Sequence, residues 1–465
     1  MKARLLRIGN QLSESYWFVP TIMSVGALLL AALMVWADSR GLATWMDRLP
    51  WQYAARPSGA RSLLSSIAGS MIGVAGTTFS VTIAAVVYAS GQYGPRLLSN
   101  FMSDRGNQVT LGTFIATFLY ALFVVRTIRS PGETAGAPGF VPQLALMVGI
   151  LLVLCSIAVL IYFIHHVPSR IHINKVIERI GDRLLTEIDQ RFPKPLGDGV
   201  DDAEAPLSVP AAFHPDTATS NAHRRGMVRA RDTGYIQLID ADSLLACAAK
   251  HDLIVRLQYR PGDFVHRGSA LLEAYPVSRL DDAAASAFCD SFSTGARRTA
   301  MQDMRFLIDE LVEIAARALS PGVNDPFTAK SCLDWLGAAL AALAGRELPS
   351  VLRKDADGEV RAIVHPITFA GFVDQSFGAL AQYAASDMIA ARHLLTSIED
   401  FALSCDSPGR RATLERMVIG FRALACGSLD GMNRDSVTDH ADALLGALAA
   451  ADCHDRLYAR RARGE

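Results

Sequence analysis

The residues best placed to do chemistry lie in a turn rich in proline and glycine, where residues 318–336 read ALSPGVNDPFTAKSCLDWL. Asn324 or Asp325 can cap a helix that begins with Pro326, because the N–H that proline lacks is not needed there. The free amides at a new helix N-terminus, with arginines nearby, could instead hold an anion such as phosphate. The sequence leaves both interpretations open, and the residues of the anion or ligand site would be Arg298, Arg317, Asn324 and Asp325.

A second candidate lies in an apolar segment, residues 62–93, where small and hydroxylic residues recur every three or four positions. At helical spacing these residues share one face, which comprises Ser66, Gly69, Gly73, Thr77 and Ser80. Such a face lets a neighbouring helix pack closely, and Gly69 and Gly73 form a GxxxG pair. The same hydroxyl groups could instead line a water-filled path. Because no acidic or basic residue occurs between Arg61 and Arg96, we expect no proton relay in this helix.

Familiar catalytic motifs are missing from the sequence. The chain has no P-loop, no GxGxxG after a strand, no HExxH, no GxSxG and no kinase signature. Its seven cysteines include no CxxC pair, and the adjacent His165 and His166 cannot both face one metal on a helix. We therefore predict no catalytic residue, no cofactor and no metal. An enzyme would need a site assembled from residues that are distant in sequence.

The composition indicates a membrane protein. Hydrophobic residues make up 51 % of the 465 residues, which is high for a purely soluble chain. The 45 basic and 46 acidic residues give a net charge of −1. Nucleic-acid-binding proteins usually show a basic excess, so no nucleic acid is expected as a partner.

Four uncharged apolar runs, at about residues 16–37, 62–93, 109–125 and 141–164, are each close to the roughly 20 residues that cross a bilayer as a helix. Nine lysines and arginines flank these runs on one side and six on the other, which predicts that both termini are cytoplasmic. The sequence thus predicts a four-helix transmembrane domain over residues 1–167. An amphipathic juxtamembrane helix is expected over residues 168–192.

The remaining sequence is expected in the cytosol. Residues 193–225 hold five prolines among acidic and small residues, which predicts a flexible linker. Residues 226–282 contain alternating β-branched segments around a short helix, which predicts a small α/β module. Residues 283–465 show helical periodicity, with one short hairpin around Asp357 and Gly358. The predicted fold class is a membrane all-α domain of four transmembrane helices, followed by a cytosolic α+β region that is mostly helical.

Two long motifs carry a resemblance to a known family. They are SxxxGxxxGxxGTTFSVTIxxxVYASGQYGPRLL at residues 65–98 and RRTAMQDMRFLIDELVEIAARALSPGVNDPFTA at residues 297–329. With these motifs the chain resembles an uncharacterised family of predicted bacterial membrane proteins, domain of unknown function 2254, over nearly its whole length. The resemblance implies a multi-pass inner-membrane protein with a cytosolic C-terminal region. It implies no established activity, cofactor or catalytic residue. Gly94 stands where the family pattern would have serine.

Three functions are compatible with these observations. The first is a non-enzymatic homo-oligomer of the bacterial inner membrane, in which the small-residue helix packs or lines a solute path and the cytosolic region regulates it. The second is a membrane-tethered sensor or scaffold that binds an anionic ligand or a protein partner through its cytosolic region. The third is a membrane enzyme without a recognisable motif. The expected partners are the lipid bilayer and further copies of the chain. The sequence does not identify a ligand.

Overall fold

The structure is a computed structural model, and it describes residues 16–41, 56–94, 104–130, 139–192, 198–199, 213 and 225–463. The chain divides into two compact units: a spanning unit over residues 8–175 and a C-terminal unit that includes residues 176–465. Four long apolar helices come first, and a mostly helical region with two small sheets follows. The predicted fold class is therefore confirmed.

The described residues of the spanning unit include four helices, each with a stretch long and apolar enough to cross a bilayer. Their bounds are α1 Phe18–Ser39, α2 Pro57–Tyr93, α3 Arg105–Thr127 and α4 Gln143–Ile171. All four predicted apolar runs are confirmed as helices. α2 begins at Pro57 rather than at residue 62, because proline at the first helical position needs no N–H partner.

α3 is the central helix of the spanning unit. In its most apolar stretch 44 % of the residues are buried within the chain, against 17 % to 28 % for the other three helices. It packs against α1 and α2, where small residues such as Ala27, Ala68 and Ala121 let the backbones approach closely. The hydroxyl of Tyr120 in α3 donates to the carbonyl of Ala145 in α4 at 2.8 Å. The buried polar group therefore ties two helices together.

One acidic side chain links the end of α1 to the beginning of α4. The carboxylate of Asp38 accepts hydrogen bonds from the backbone N–H groups of Leu144 and Ala145, both at 3.0 Å. These amides belong to the first turn of α4, which has no N-cap from its own preceding residue, Pro142. A carboxylate is favourable there because the helix N-terminus carries unpaired N–H groups and a partial positive charge.

The amphipathic helix α5 spans Ile173–Arg191. Its apolar face packs inside the C-terminal unit, and Gly181 lies so close to Trp335 that an added Cβ would be 2.2 Å from the ring. Arg346 donates to the carbonyl of Phe192 at 3.0 Å and so satisfies the C-terminal end of the helix.

The described part of the C-terminal unit contains two sheets. The larger sheet has the order β1-β8-β9-β4-β6-β2, in which only β4 and β9 are parallel among the described strands. Its strands are β1 Asp198–Gly199, β2 Gly226–Arg229, β4 Ile254–Leu257, β6 Ala270–Tyr275, β8 Leu352–Lys354 and β9 Val360–Ile363. The smaller sheet has the order β5-β3-β7, with β3 Gly234–Ile239, β5 Phe264–Val265 and β7 Phe292–Gly295. Helices α6 Ala241–Lys250 and α7 Asp282–Asp290 contribute to the apolar core beside these sheets.

The larger sheet draws strands from separate parts of the sequence. β4 lies in the predicted α/β module, 226–282, and its parallel partner β9 lies in the predicted helical domain, 283–465. The predicted hairpin is confirmed, because β8 and β9 pair antiparallel on either side of Gly358, which has a φ of +84°. The predicted linker, 193–225, falls almost entirely outside the described residues, apart from the two residues of β1, the buried Phe213 and Arg225.

Helices form the rest of the C-terminal unit. They are α8 Arg305–Ala318, α9 Pro326–Ala344, α10 Phe369–Val373, α11 Ala379–Ala384, α12 Met388–Ala402, α13 Pro408–Ser428, α14 Gly431–Leu448 and α15 Cys453–Arg463. A π-helical turn, Asp374–Gly378, joins α10 to α11. Local periodicity locates most of these helices, because each buries one apolar stripe against its neighbours.

Candidate functional site

The proline-rich corner is a capped turn between two helices. α8 ends at Ala318, and Asp325 caps α9 by accepting from the backbone N–H of Thr328 at 3.1 Å and from its hydroxyl at 2.6 Å. Pro326 takes the first helical position, as predicted. Asn324 has a φ of +50°, a left-handed conformation that asparagine tolerates better than most residues. The Asp325 carboxylate thus accepts a hydrogen bond from a backbone N–H that an anion bound at this helix end would otherwise use.

The two arginines of the predicted anion site lie at opposite ends of α8. Arg298 donates to Asp303 at 2.6 Å and to Asp309 at 2.5 Å, beside the first turn of α8. Arg317 lies in the last turn, 3.4 Å from Glu313 one turn earlier in the same helix. The 14 residues of α8 extend for about 21 Å, so the structure brings Arg317 close to the corner but not Arg298.

Arg298 belongs instead to a buried network of charges. Asp303 is 3 % exposed and also accepts from Arg305, whose guanidinium reaches Asp263 at 2.9 Å. The turn that carries Asp263 approaches so closely that a Cβ on Gly262, with a φ of +91°, would lie 1.8 Å from an Asp303 oxygen. The network therefore fixes the segment before α8 against the turn that precedes β5.

A cleft of about 730 Å³ opens beside this network in the C-terminal unit. We call it the arginine cleft, because four arginines contribute to its lining, namely Arg191, Arg260, Arg305 and Arg353. Apolar side chains form much of the rest of its wall, among them Phe192, Leu257, Met304, Ile367 and Phe372. The cleft thus combines an apolar surface with a small number of polar groups.

Arg353 is the most unusual residue of the arginine cleft. It lies on β8, is only 2 % exposed, and donates through Nη1 to the carbonyls of Ser350 and Leu352, the latter at 2.8 Å. Its Nε is buried and has no hydrogen-bond partner among the residues that the structure describes. Burial lowers the pKa of Arg353 to about 10, so the guanidinium remains charged at neutral pH. The sequence predicted the hairpin that carries this arginine, but it contains no signal that both faces of the strand are buried.

Arg260 adds to the positive field of the cleft, and it acts on the neighbouring His365. His365 is exposed at the cleft surface, where partial burial of the ring lowers its pKa and the charges of Arg260 and Arg256 lower it further. A histidine in such surroundings is neutral at pH 7, because nearby positive charges disfavour its protonation. The field around this side of the cleft is therefore positive.

The small-residue face of α2 points away from the bundle. All five predicted residues, Ser66, Gly69, Gly73, Thr77 and Ser80, are exposed, while the opposite side of α2 is buried against the other helices. An added Cβ on Gly69 or Gly73 would meet nothing within 4 Å. The hydroxyl of Thr77 donates to the carbonyl of Gly73 at 3.1 Å. A groove of about 710 Å³ runs along this face beside Leu160 and Phe163 of α4.

A third polar cluster, which the sequence did not suggest, joins α3 to α4. Asp104 caps α3 and lies 2.8 Å from Nε2 of His166, whose Nδ1 lies 2.9 Å from the Tyr162 hydroxyl. An added Cβ on Gly106 would be 2.6 Å from the same imidazole, so glycine is required there. The partner of His166 is 62 residues away in sequence, a distance at which spacing rules carry no information. The cluster connects two helix ends.

Metal ligands are not grouped in the part of the chain that the structure describes. Among these residues no set of three His, Cys, Asp or Glu side chains could hold a metal ion. The strongest candidate site is the arginine cleft, which combines an apolar wall with a few polar groups.

Comparison with known proteins identifies the family. The model of the predicted membrane proteins DUF2254 matches residues 13–400. The chain belongs to this family. Uncharacterised proteins of Mycobacterium bovis and Mycobacterium tuberculosis are each 31 % identical to it over 424 residues, which cover 90 % of this chain and 77 % of theirs. No solved structure matches the chain. The DUF2254 protein described here is thus a predicted membrane protein with four apolar helices, as its sequence motifs indicated.

Proposed function

We propose that this DUF2254 protein is a membrane-tethered sensor whose C-terminal unit binds a small molecule in the arginine cleft. The observation that carries the proposal is the cleft itself. Its volume of about 730 Å³ lies within the roughly 300–1,000 Å³ typical of small-molecule sites, and its apolar wall with a few convergent polar groups is their usual lining. The excess of lysine and arginine around one set of helix ends supports a cytoplasmic location for the C-terminal unit.

A ligand screen on the full-length protein in detergent tests this proposal. We expect at least one small molecule to raise the thermal unfolding midpoint, because a ligand that binds only the folded state stabilises it by mass action. Ala241 lines the cleft at the first position of α6, so Ala241→Phe should block the cleft and abolish the shift.

The matched control changes the same residue type on the same helix. Ala246 is exposed and does not line the cleft, so Ala246→Phe should keep the response of the wild type. A screen without any stabilising compound, or compounds that stabilise Ala241→Phe and Ala246→Phe equally, would argue against a sensor that uses this cleft.

A second candidate function is a homo-oligomer of the inner membrane, in which the small-residue face of α2 packs against another copy or lines a solute path. It is supported by the outward direction of that face, because exposed glycines in a spanning helix offer a surface for close helix packing. The Thr77 hydroxyl already donates within its own helix, which favours packing over a hydrated path. The lipid bilayer is the other partner in this proposal.

Light scattering of the purified protein tests assembly through α2, and a flux assay tests the solute path. Gly73→Leu should reduce the oligomer mass, whereas Gly26→Leu, an equally exposed glycine on α1 with open space around it, should leave the mass unchanged. A solute path predicts flux into liposomes that Thr77→Phe blocks. A monomeric wild type, or equal effects of the two leucine variants, would contradict assembly through α2.

A further inference from the structure

The acidic groups in the wall of the arginine cleft are largely neutralised by neighbouring bases. Glu187 accepts from Arg191 at 2.5 Å, and the buried Asp303 accepts from both Arg298 and Arg305. The remaining carboxylate of the lining, Asp242, is exposed in the first turn of α6. The carboxylates of the cleft therefore contribute little negative charge that could balance Arg260 and Arg353.

Two arginines of the cleft have no carboxylate partner within the described ranges. The guanidinium of Arg353 donates to main-chain carbonyl groups among these residues, and burial is the cause that lowers its pKa. The side chain of Arg260 makes no ion pair among the described residues, and its charge acts on His365. A buried charge without a counter-charge is costly, because the low-dielectric interior replaces water that would solvate it.

We propose that the arginine cleft binds a small organic oxyanion, whose carboxylate or phosphate group lies against Arg353 and whose apolar part lies against Phe192 and Phe372. This inference rests on the proposed sensor function and names its ligand class. The guanidinium favours this class because its planar N–H groups match the geometry of carboxylate and phosphate oxygens. The buried Nε of Arg353, which has no partner in the described part of the chain, is an N–H donor that such an oxygen can satisfy.

The other properties of the cleft agree with this ligand class. A bare inorganic ion would make no favourable contact with the apolar wall, whereas the aromatic or aliphatic part of an organic ligand can pack against it. A cation is disfavoured, because Arg260 and Arg353 would repel it. The position of Arg260 near the exposed His365 adds positive charge that attracts an anion toward the buried arginine.

Calorimetric titration of the full-length protein in detergent tests the proposal with three probes. Phenylacetate carries both an oxyanion and an apolar ring, phenylacetamide has the same shape without the charge, and inorganic phosphate has the charge without the ring. We expect phenylacetate to bind more tightly than either of the other two. In Arg353→Met the Kd for phenylacetate should rise by about 30-fold, which is the scale for removing one member of a buried charged pair.

Two further variants keep the result interpretable. Arg260→Gln changes a half-buried residue without an ion pair, so it should fold normally and weaken phenylacetate binding by about threefold. Arg231→Met removes an exposed arginine outside the cleft and should have no effect.

The proposal is wrong if the acid and the amide bind the wild type alike, if Arg353→Met binds phenylacetate as well as the wild type does, or if none of the three probes binds. The sensor function is judged separately. Neutral compounds that stabilise the wild type but not Ala241→Phe would support that function, but they would contradict an oxyanion as the ligand.

Discussion

Replacing Arg353 with methionine should stabilise the ligand-free protein, although the residue is buried. Burial lowers its pKa from the ordinary value of an arginine to about 10, which means that the charged form is disfavoured in the folded state. At about 1.4 kcal/mol for each pH unit, this amounts to roughly 3 kcal/mol at neutral pH. Methionine removes that penalty, but it also removes the hydrogen bonds to the carbonyls of Ser350 and Leu352, at about 1 kcal/mol each. We expect the free energy of unfolding to rise by about 1 kcal/mol.

A neighbouring arginine provides the matched comparison. Arg305 also lines the cleft, but it donates to both Asp263 and Asp303. Arg305→Met leaves Asp303 with Arg298 as its only cationic partner among the described residues, so it should lower the free energy of unfolding by about 3 kcal/mol. The two variants remove the same charge from the same cleft and should therefore change stability in opposite directions.

Urea unfolding of the full-length protein in detergent, followed by tryptophan fluorescence, measures both effects. Trp335 is the one tryptophan of the C-terminal region in the sequence, and it packs on Gly181. The protein should first be dialysed into chloride buffer, because a bound oxyanion would stabilise the wild type and hide the gain. If Arg353→Met loses as much stability as Arg305→Met, the charge of Arg353 is balanced in the folded protein and its burial does not lower the free energy of unfolding.

Three further predictions concern local structure. Asp325→Ala should lower the free energy of unfolding by about 1 kcal/mol through loss of the α9 cap, while Asp325→Asn should lose less; urea unfolding distinguishes them. Gly181→Ala should cost about 1–3 kcal/mol, because the added Cβ would overlap Trp335, and an unchanged midpoint would contradict this packing. The lowered pKa of His365 means that the unfolded chain binds more protons below pH 6.5, so stability should fall as pH drops through that value. His365→Gln should show a smaller decrease between pH 7 and pH 5, and an identical decrease would refute the assignment.

Local sequence patterns were sufficient to predict the helices and the capped corner. The four spanning helices follow from length and hydropathy alone, since few other structures satisfy their backbone groups in a bilayer. The cap by Asp325 and the first-turn Pro326 follow from the steric and hydrogen-bonding needs of a helix end. The hairpin at Gly358 could be predicted because glycine readily adopts a positive φ.

The arginine cleft could not be predicted, because residues distant in sequence form it. The parallel pairing of β4 with β9 joins residues that are more than a hundred positions apart, and no local period records such a contact. Arg298 was a candidate for the anion site that the sequence left open beside the capped corner, and in the structure it pairs with Asp303 and Asp309. Arg353 shows the opposite case. Asp355 is close to it in sequence and could be expected to pair with it, but in the structure the Asp355 carboxylate pairs with Arg361.

The thermal unfolding midpoint in the presence of phenylacetate shows whether the arginine cleft binds a small organic anion. We predict that phenylacetate raises the midpoint of the wild type and of Ala246→Phe, but not that of Ala241→Phe or Arg353→Met. An equal shift in all four proteins, or no shift in the wild type, would contradict binding of such an anion in the cleft.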